Sequence, residues 1–249
     1  MNEAFFRSDD LTSSTAQRSN YVPRPKAPSG DELKHLAQVL AHRIRGLVTG
    51  IEGYTDLLID TLATREQRDL ALRILESAVR IERVLADLQR YGRDVRPVMR
   101  SLPVRIVLDE LAAALDDDDL ERIGFDVKVG KDVLLRVDPV LLRQALLILV
   151  QNAIDATRNG GSILFSIEGD LSNRSLCFVV QNDGVIPFED AETKVFSPFF
   201  TTKAHNLGVG LTLAKRIVQA HGGTLRLAKN DPETGTRFVL TLPAHEAGA

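Results

Sequence analysis

The stretch PVLLRQALLILVQNAIDAT, residues 139–157, reads as a long helix, and what surrounds it decides the fold class. Before it come a helical pattern, IVLDELAAAL (106–115), and two short β-rich runs, FDVKV (125–129) and DVLLRV (132–137). After it come two strand patterns, SILFSIEG (162–169) and SLCFVVQN (175–182), and a polar, lid-like stretch. A helix, VGLTLAKRIVQAHG (209–222), and two final strands, TLRLAKN (224–230) and TRFVLTLP (236–243), complete the region. Adjacent strands are joined by hairpin-length turns, so a largely antiparallel sheet with helices over one face is expected. The sequence leaves open what covers the other face.

Upstream the period changes. Leu33, Ala37, Leu40, Ile44, Leu47, Ile51, Tyr54 and Leu58 alternate in steps of four and three, the seam of a helix packed lengthwise against other helices. A second run, Leu70, Ile74, Ala78, Ile81, Leu85 and Leu88, follows the connector DTLATREQR (60–68). The two make a helical hairpin. Two helices cover each other poorly, so a homodimeric four-helix bundle is expected to bury both seams. RDVRP (93–97) marks the break between the regions. The division is therefore a flexible leader over 1–30, ending in YVPRPKAPSG, a hairpin over 31–95, and a sheet domain over 96–249.

Composition excludes several classes. Net charge is −3 and the pI about 6.0, so no basic field draws the chain to nucleic acid or an anionic membrane. The longest aliphatic run of interest, ALLILV (145–150), falls far short of the roughly 20 residues a helix needs to cross a bilayer. The leader has neither the apolar stretch of a signal peptide nor a transit-peptide composition, and a cytoplasmic location is expected. A lone cysteine, Cys177, excludes an intramolecular disulfide and is expected to be a small core residue.

Chemistry could sit at three points of the sheet domain: Asn152 in QNAID, NDG after the strand ending near Val180, and GVGL (208–211) opening the last long helix. Glycines at a helix start admit phosphates to free backbone N–H groups, where the helix dipole favours negative charge. On its own GVGL is a weak signal, and an isolated Asn152 is more often an ordinary hydrogen-bonding residue. In the hairpin, placing Leu40 and Leu47 at d and Ile44 and Ile51 at a puts His42 at f, facing solvent. His35, one heptad earlier, has the same position, and the heptad does not choose between them.

The order of these pieces matches one family. From Asp31 to about Pro243 the chain resembles bacterial sensor histidine kinases: a dimerising phosphoacceptor hairpin followed by an ATP-binding α/β sandwich of Bergerat (GHKL) type, α+β overall. QNAID (151–155) resembles the asparagine box, NDGVIP (182–187) the first glycine box, VFSPFFTTK (195–203) the phenylalanine box, and GVGLTLAKRIVQAHGG (208–223) the second glycine box. The resemblance implies that Asn152 holds Mg²⁺ against the ATP phosphates, an oxygen ligand for a hard cation. It assigns Asp155, Asn182, Gly184, Ile186, Lys203, Gly208, Gly210 and Leu211 to the nucleotide site, with Lys203–Leu207 mobile until ATP orders it. It also chooses His42, because Ile51 and Tyr54 stand nine and twelve residues beyond, as in the family's phosphoacceptor box. His42 is then expected to take the γ-phosphoryl group and pass it to an aspartate on a response regulator receiver domain.

The chain departs from the family at several positions. Asn182 stands for the usual adenine-binding aspartate, though its amide oxygen can accept the same hydrogen bond. The first glycine box is one residue short, with Val185 near a glycine position, and Asn206 stands where the second box often begins. Ile148 occupies the place of the glutamate that activates water in hydrolytic GHKL members, which removes the base an ATPase of that kind needs. Arg43 replaces the acidic residue after the histidine, and with Gly46 four residues on, weak or absent phosphatase activity toward the regulator is expected. Arg43 is the second catalytic candidate, a cation that disfavours imidazolium and draws the γ-phosphate. The alternative is a degenerate kinase or phosphotransfer scaffold that keeps the dimer and fold without phosphorylating itself. No sensor domain is expected before the hairpin, so input is expected from a sensory or regulatory protein acting in trans.

Overall fold

The computed structural model of the protein describes residues 30–62, 64–130, 133–157, 160–170, 174–203 and 207–246. The expected leader, apart from Gly30, lies outside them. Two long helices, α1 (Gly30–Ile59) and α2 (Arg65–Gly92), form the hairpin. Then follow β1 (Arg100–Pro103), α3 (Val104–Ala112), α4 (Asp117–Glu121), β2 (Ile123–Lys128), β3 (Val133–Val137) and α5 (Pro139–Ala156). The chain continues through β4 (Ile163–Asp170), β5 (Ser175–Asn182), α6 (Ala191–Lys194), α7 (Gly210–Ala220), β6 (Thr224–Asp231) and β7 (Gly235–Glu246).

Helix α2 starts inside the stretch read as connector, because Thr64 caps it. Thr64 Oγ1 accepts from the Gln67 N–H at 3.3 Å, and Gln67 Oε1 accepts from the Thr64 N–H at 3.3 Å. This reciprocal pair satisfies two otherwise orphaned donors, and the T-x-x-Q spacing at 64–67 is its sequence signature.

The hairpin buries a different line from the heptad seam. Ala41, Val48 and Thr55 of α1 meet Ala71, Ala78 and Leu85 of α2, all nearly inaccessible. These positions lie one residue beyond d on α1, and the seam residues stay exposed: Leu47 at 70%, Tyr54 at 73%, Leu70 at 63%. Leu40, Ile44, Ile51, Leu58, Ile74 and Ile81 are exposed as well. The small alanines let α1 and α2 approach closely, while the bulky seam points away from the intrachain contact. Leu33 and Ala37 belong to side chains outside the description.

In the second region the sheet runs β1-β3-β7-β5-β4-β2, with β6 also paired to β7. Every pair is antiparallel except β2 and β4, which are parallel because β3 and α5 intervene between them. The long β7 is the hub, pairing with β5 and β6 along one part and β3 at its end. Helices α3, α5 and α7 cover one face, where Leu135, Phe165, Ile167, Leu176, Phe178, Leu240 and Leu242 are buried. Strand β1 and helices α4 and α6 were not legible as elements in the sequence pattern, being only four or five residues long.

Cys177 is not in that core. Strand alternation sends Leu176 and Phe178 under the helices and Cys177 to the opposite face, half-buried with its Sγ 3.6 Å from Thr241 Oγ1. Helix α5 is long and apolar enough by composition to be considered a membrane span, yet Leu142, Ala145, Leu146, Leu149 and Val150 are fully buried in the domain core.

Asp138 sets the start of α5. Its Oδ1 accepts from Val140 N at 3.0 Å and Leu141 N at 3.1 Å, its Oδ2 from Val98 N at 2.8 Å, and Pro139 needs no partner at N1. The Asp138 N–H donates to His221 Nε2 at 2.9 Å, tying the start of α5 to the end of α7. Burial would raise the Asp138 carboxyl, but the Val98, Leu141 and Val140 N–H groups and His221 outweigh it and hold the group below the ordinary carboxylate range. A depressed folded value means stabilisation present at neutral pH and lost as pH falls through that value. Asp138→Ala is expected to cost about 1 kcal/mol at neutral pH. Denaturant unfolding across pH 2–7 checks it: the difference from wild type should shrink in acid, and a pH-independent difference would refute the linkage.

Candidate nucleotide site

A cavity of about 420 Å³ opens between α5, the N-terminus of α7, the turn after β5 and the 195–203 stretch. Ile148, Asn152 and Asp155 face it from α5, because the opposite side of that helix is locked into the core. Lys203 Nζ donates to Asn152 Oδ1 at 2.9 Å and to Asp155 Oδ2 at 2.7 Å. Asp155 is 16% and Lys203 30% exposed at the side chain, so this ion pair is partly shielded from water. Two hard oxygens already converge on a cation there, an ammonium standing where a metal could. The donor set therefore fits Mg²⁺, which takes oxygen ligands and completes its shell with phosphates and waters.

Across the cavity α7 begins without a side-chain cap: its N-cap is Val209, and Gly208, Val209, Gly210 and Leu211 line the wall. Free N–H groups and the helix dipole favour an anion at that end. Gly208 is required by its backbone, with φ +71 and a Cβ that would lie 2.5 Å from Phe200 O. Ile148 lines the cavity with aliphatic carbon and touches the start of α7, where a Cβ at Gly210 would lie 3.4 Å from its Cγ2.

Asn182 forms the floor at the end of β5, buried to 3% exposure. Its Nδ2 donates to Gly184 O at 3.3 Å, which leaves the amide oxygen to accept from a ligand. Gly184 itself is not in the wall. It lies beneath, where a Cβ would come within 2.8 Å of Ala156, so its glycine is set by packing of the turn against α5. Ile186 and Val185 line the mouth. Asn206 and most of the Lys203–Leu207 segment lie outside the described residues.

Several contributors were missed in the sequence. Thr236, paired with Asn182 across β5 and β7, donates its hydroxyl to Gly184 O at 2.7 Å and lines the floor. Asn230 pins the turn by a two-way bond to the Ile186 backbone, 2.9 Å each way. Only strand register brings these together, and no local motif announces it. Asp87, on α2, also lines the cavity; burial pushes its carboxyl up, partly offset by Arg90.

His42 and Arg43 are exposed on α1 and do not line the cavity. Adjacent helical residues point about 100° apart, so Arg43 does not share a face with His42. Arg45, three residues on, does share it and reaches Gln89 Oε1 at 3.1 Å. Gly46 leaves open space beside it, with nothing within 4 Å of its would-be Cβ.

A cavity bounded by an asparagine-bearing helix, an open helix N-terminus and a buried amide floor, on an antiparallel sheet covered on one face, defines a nucleotide-binding domain of the GHKL class. Residues 137–246 match the histidine kinase-, DNA gyrase B- and HSP90-like ATPase family, and residues 32–94 match the His Kinase A (phospho-acceptor) domain. The chain belongs to the two-component sensor histidine kinases. It is 27% identical over 236 residues to the signal transduction histidine-protein kinase AtoS of Escherichia coli, covering 94% of this chain and 38% of AtoS. Sensor histidine kinase ZraS of Klebsiella oxytoca is 30% identical over 216 residues, with 86% of this chain and 46% of ZraS covered. The chain thus spans less than half the length of these relatives. Among solved structures, histidine kinase ThkA in complex with response regulator protein TrrA aligns with TM-score 0.61 at 25% identity, covering 85% of this chain and 61% of that one. Full-length ShkA in complex with AMPPNP shares the fold at TM-score 0.66 and 24% identity, covering 87% and 47%.

Because Lys203 occupies the oxygen pair, it competes with a metal for it. Lys203→Met, which removes the ammonium from Asn152 Oδ1 and Asp155 Oδ2, is expected to make the domain responsive to millimolar Mg²⁺ alone. Thermal unfolding with and without Mg²⁺ is the check: a rise in Tm confined to the variant supports the competition, and equal responses sink it.

Proposed function

We propose that the chain binds Mg-ATP in this cavity, transfers the γ-phosphoryl group to His42, and passes it on to an aspartate of a response regulator receiver domain. The observation that carries the reading is the pairing of two oxygens, Asn152 Oδ1 and Asp155 Oδ2, with an uncapped α7 N-terminus across one cavity. That arrangement suits a polyphosphate and its counter-cation together. Bound Mg²⁺ would supply positive charge against the phosphates. Asn152 and Asp155 would hold it, Lys203 would add positive charge near the phosphates, and the Asn182 amide oxygen would accept from the base. Ile148 keeps a water-activating base out of the site, which directs transfer to a nucleophile other than water.

Transfer itself needs the unprotonated Nε2 of His42 in line with the γ-phosphorus. The Nε2–P bond forms as the bond from γ-phosphorus to the bridging oxygen breaks, ADP leaves with the electron pair, and the Nδ1 proton passes to solvent. Positioning and charge compensation supply most of the acceleration, so an acidic neighbour is dispensable. Gly46 leaves room for the phosphoryl group beside the imidazole. The sole cysteine, half-buried and unable to pair within the chain, supports a reducing cytoplasmic setting.

Incubation with γ-labelled ATP and Mg²⁺ tests the reading. Wild type should acquire acid-labile, base-stable label, and His42→Gln and Asn152→Ala should acquire none. Unlabelled wild type that still binds nucleotide would favour a phosphotransfer scaffold instead, and label persisting in His42→Gln would redirect attention to His35.

The same reading includes a homodimer, supported by the open seam of Leu40, Ile44, Leu47 and Ile51. Leu47→Glu, which places a charge in that seam, should shift the protein toward monomer by at least tenfold in dissociation constant, about 1.4 kcal/mol. Analytical ultracentrifugation reads it; an unchanged dimer, or a monomeric wild type, would remove the seam from the interface.

A further inference from the structure

The nucleotide cavity is not built by the sheet domain alone. Among the described residues of the hairpin, Asp87 of α2 lines it. One turn further along α2 the hairpin is seated on the sheet domain. Tyr91 is buried and packs edge-on against Phe199, ring centroids 5.6 Å apart. Arg216 of α7 lies over the Tyr91 ring at 5.5 Å and donates to the Tyr91 and Arg93 carbonyls.

This seating fixes which end of the cavity Asp87 enters. The backbone of Phe199 and Phe200 abuts Gly208, where a Cβ would fall 2.8 Å from Phe199 C and 2.5 Å from Phe200 O. Gly208 directly precedes Val209, the uncapped N-cap of α7. Asp87 precedes Tyr91 by one turn, about 6 Å along the helix. Its carboxyl therefore joins the wall beside the start of α7, the end where free N–H groups and the helix dipole favour an anion.

A carboxylate there works against a polyphosphate. Among the described lining residues the charged side chains are Asp87, Asp155 and Lys203, two carboxylates against one ammonium. Lys203 Nζ lies 2.7 Å from Asp155 Oδ2, so its charge is matched to Asp155. Asp87 Oδ1 pairs with Arg90 Nη1 at 3.2 Å, but the Arg90 side chain is 57% exposed and solvent screens it. Burial pushes the Asp87 carboxyl up and Arg90 offsets only part of that, so the ionised form is already disfavoured before any anion arrives. A nucleoside triphosphate carries about one more negative charge than the diphosphate. Within a Debye length, about 8 Å, of a half-buried carboxylate, a further unit charge changes affinity severalfold.

Resting on the Mg-ATP reading above, we propose that Asp87 is a specificity-determining residue supplied to the nucleotide cavity by the hairpin: with α2 seated on Phe199 and Arg216, its carboxylate opposes the terminal phosphoryl group and tilts the cavity toward the nucleoside diphosphate. It acts by charge on the nucleotide and takes no part in bond making.

Calorimetric titration of the full chain with ADP and with AMPPNP, a triphosphate that is not turned over, decides it in millimolar Mg²⁺. Asp87→Asn removes the charge and keeps the side-chain volume. It should tighten AMPPNP about fivefold and ADP less than about twofold, and the gain should fade in about 0.5 M salt, as a charge effect does and a packing effect does not. Asp87→Glu, which restores the charge, should return the wild-type ratio of the two affinities. Asp87→Ser serves as a second uncharged variant, and retained ADP binding reports that each variant is folded. An unchanged ratio in the uncharged variants, or equal tightening of both nucleotides, would overturn the inference and leave the nucleotide site standing. Weaker AMPPNP binding in Asp87→Asn would overturn it too, by assigning the carboxylate to the cation's oxygen shell. A wild-type chain that binds neither nucleotide would overturn the Mg-ATP reading and the inference with it.

Discussion

The seating of α5 is the constraint on which the site depends. Leu142, Leu146, Leu149 and Val150 are fully buried against the sheet and its neighbouring helices. Burial of such side chains contributes about 1.5–3 kcal/mol each, more than any single polar contact in the cavity supplies. That burial fixes the helix's rotation, and the rotation is what turns Ile148, Asn152 and Asp155 outward together. A slip of one residue would swing Asn152 by about 100° toward apolar side chains, where an amide without partners is costly. Both ends of the helix are held. Asp138 caps the start, and Arg122 donates to the Thr157 carbonyl at 2.7 Å and to its hydroxyl at 3.0 Å beyond the last turn.

On this fixed helix the charged groups are arranged so that the oxygens of Asn152 and Asp155 face a cation. In the structure that cation is Lys203, delivered by the stretch after Phe199 and Phe200. A partly shielded ion pair of this kind contributes orientation more than stability, because desolvation offsets much of its Coulomb energy. Its consequence is positional: it ties the end of the 195–203 stretch to α5 across the cavity.

What the sequence disclosed followed from periodicity and from contiguous boxes. Strand and helix order, the sheet with one face covered by helices, and Asn152, Asp155, Lys203 and the start of α7 as one cluster could all be read before any coordinates. What escaped it depends on register and on tertiary approach. Thr236 reaches the floor only because β7 pairs with β5 in a register that sets it opposite Asn182. Asn230 is on β6, and its bond to Ile186 joins segments 44 residues apart. Gly184 reads as a ligand-approach glycine in a motif, whereas its neighbour Ala156 shows it to be a packing glycine. In the hairpin the apolar repeat stays exposed, and the contact within the chain is carried by small residues that hydrophobicity alone ranks low.

That partition of the helices links assembly to chemistry. Ala41, Ala71 and Ala78 bring α1 and α2 together with little apolar area, while Leu40, Ile44, Leu47 and Ile51 hold most of it in reserve on the outside. In the proposed homodimer that reserve is what a second copy covers, and stability then rises with association by mass action. The catalytic half grips the same hairpin at Tyr91 of α2, through Phe199 and Arg216. Anything that shifts α2 relative to the seam moves the cavity's wall at Asp87 as well, because one rigid helix carries both. A change in the packing of α2 therefore reaches the cavity without crossing a flexible joint.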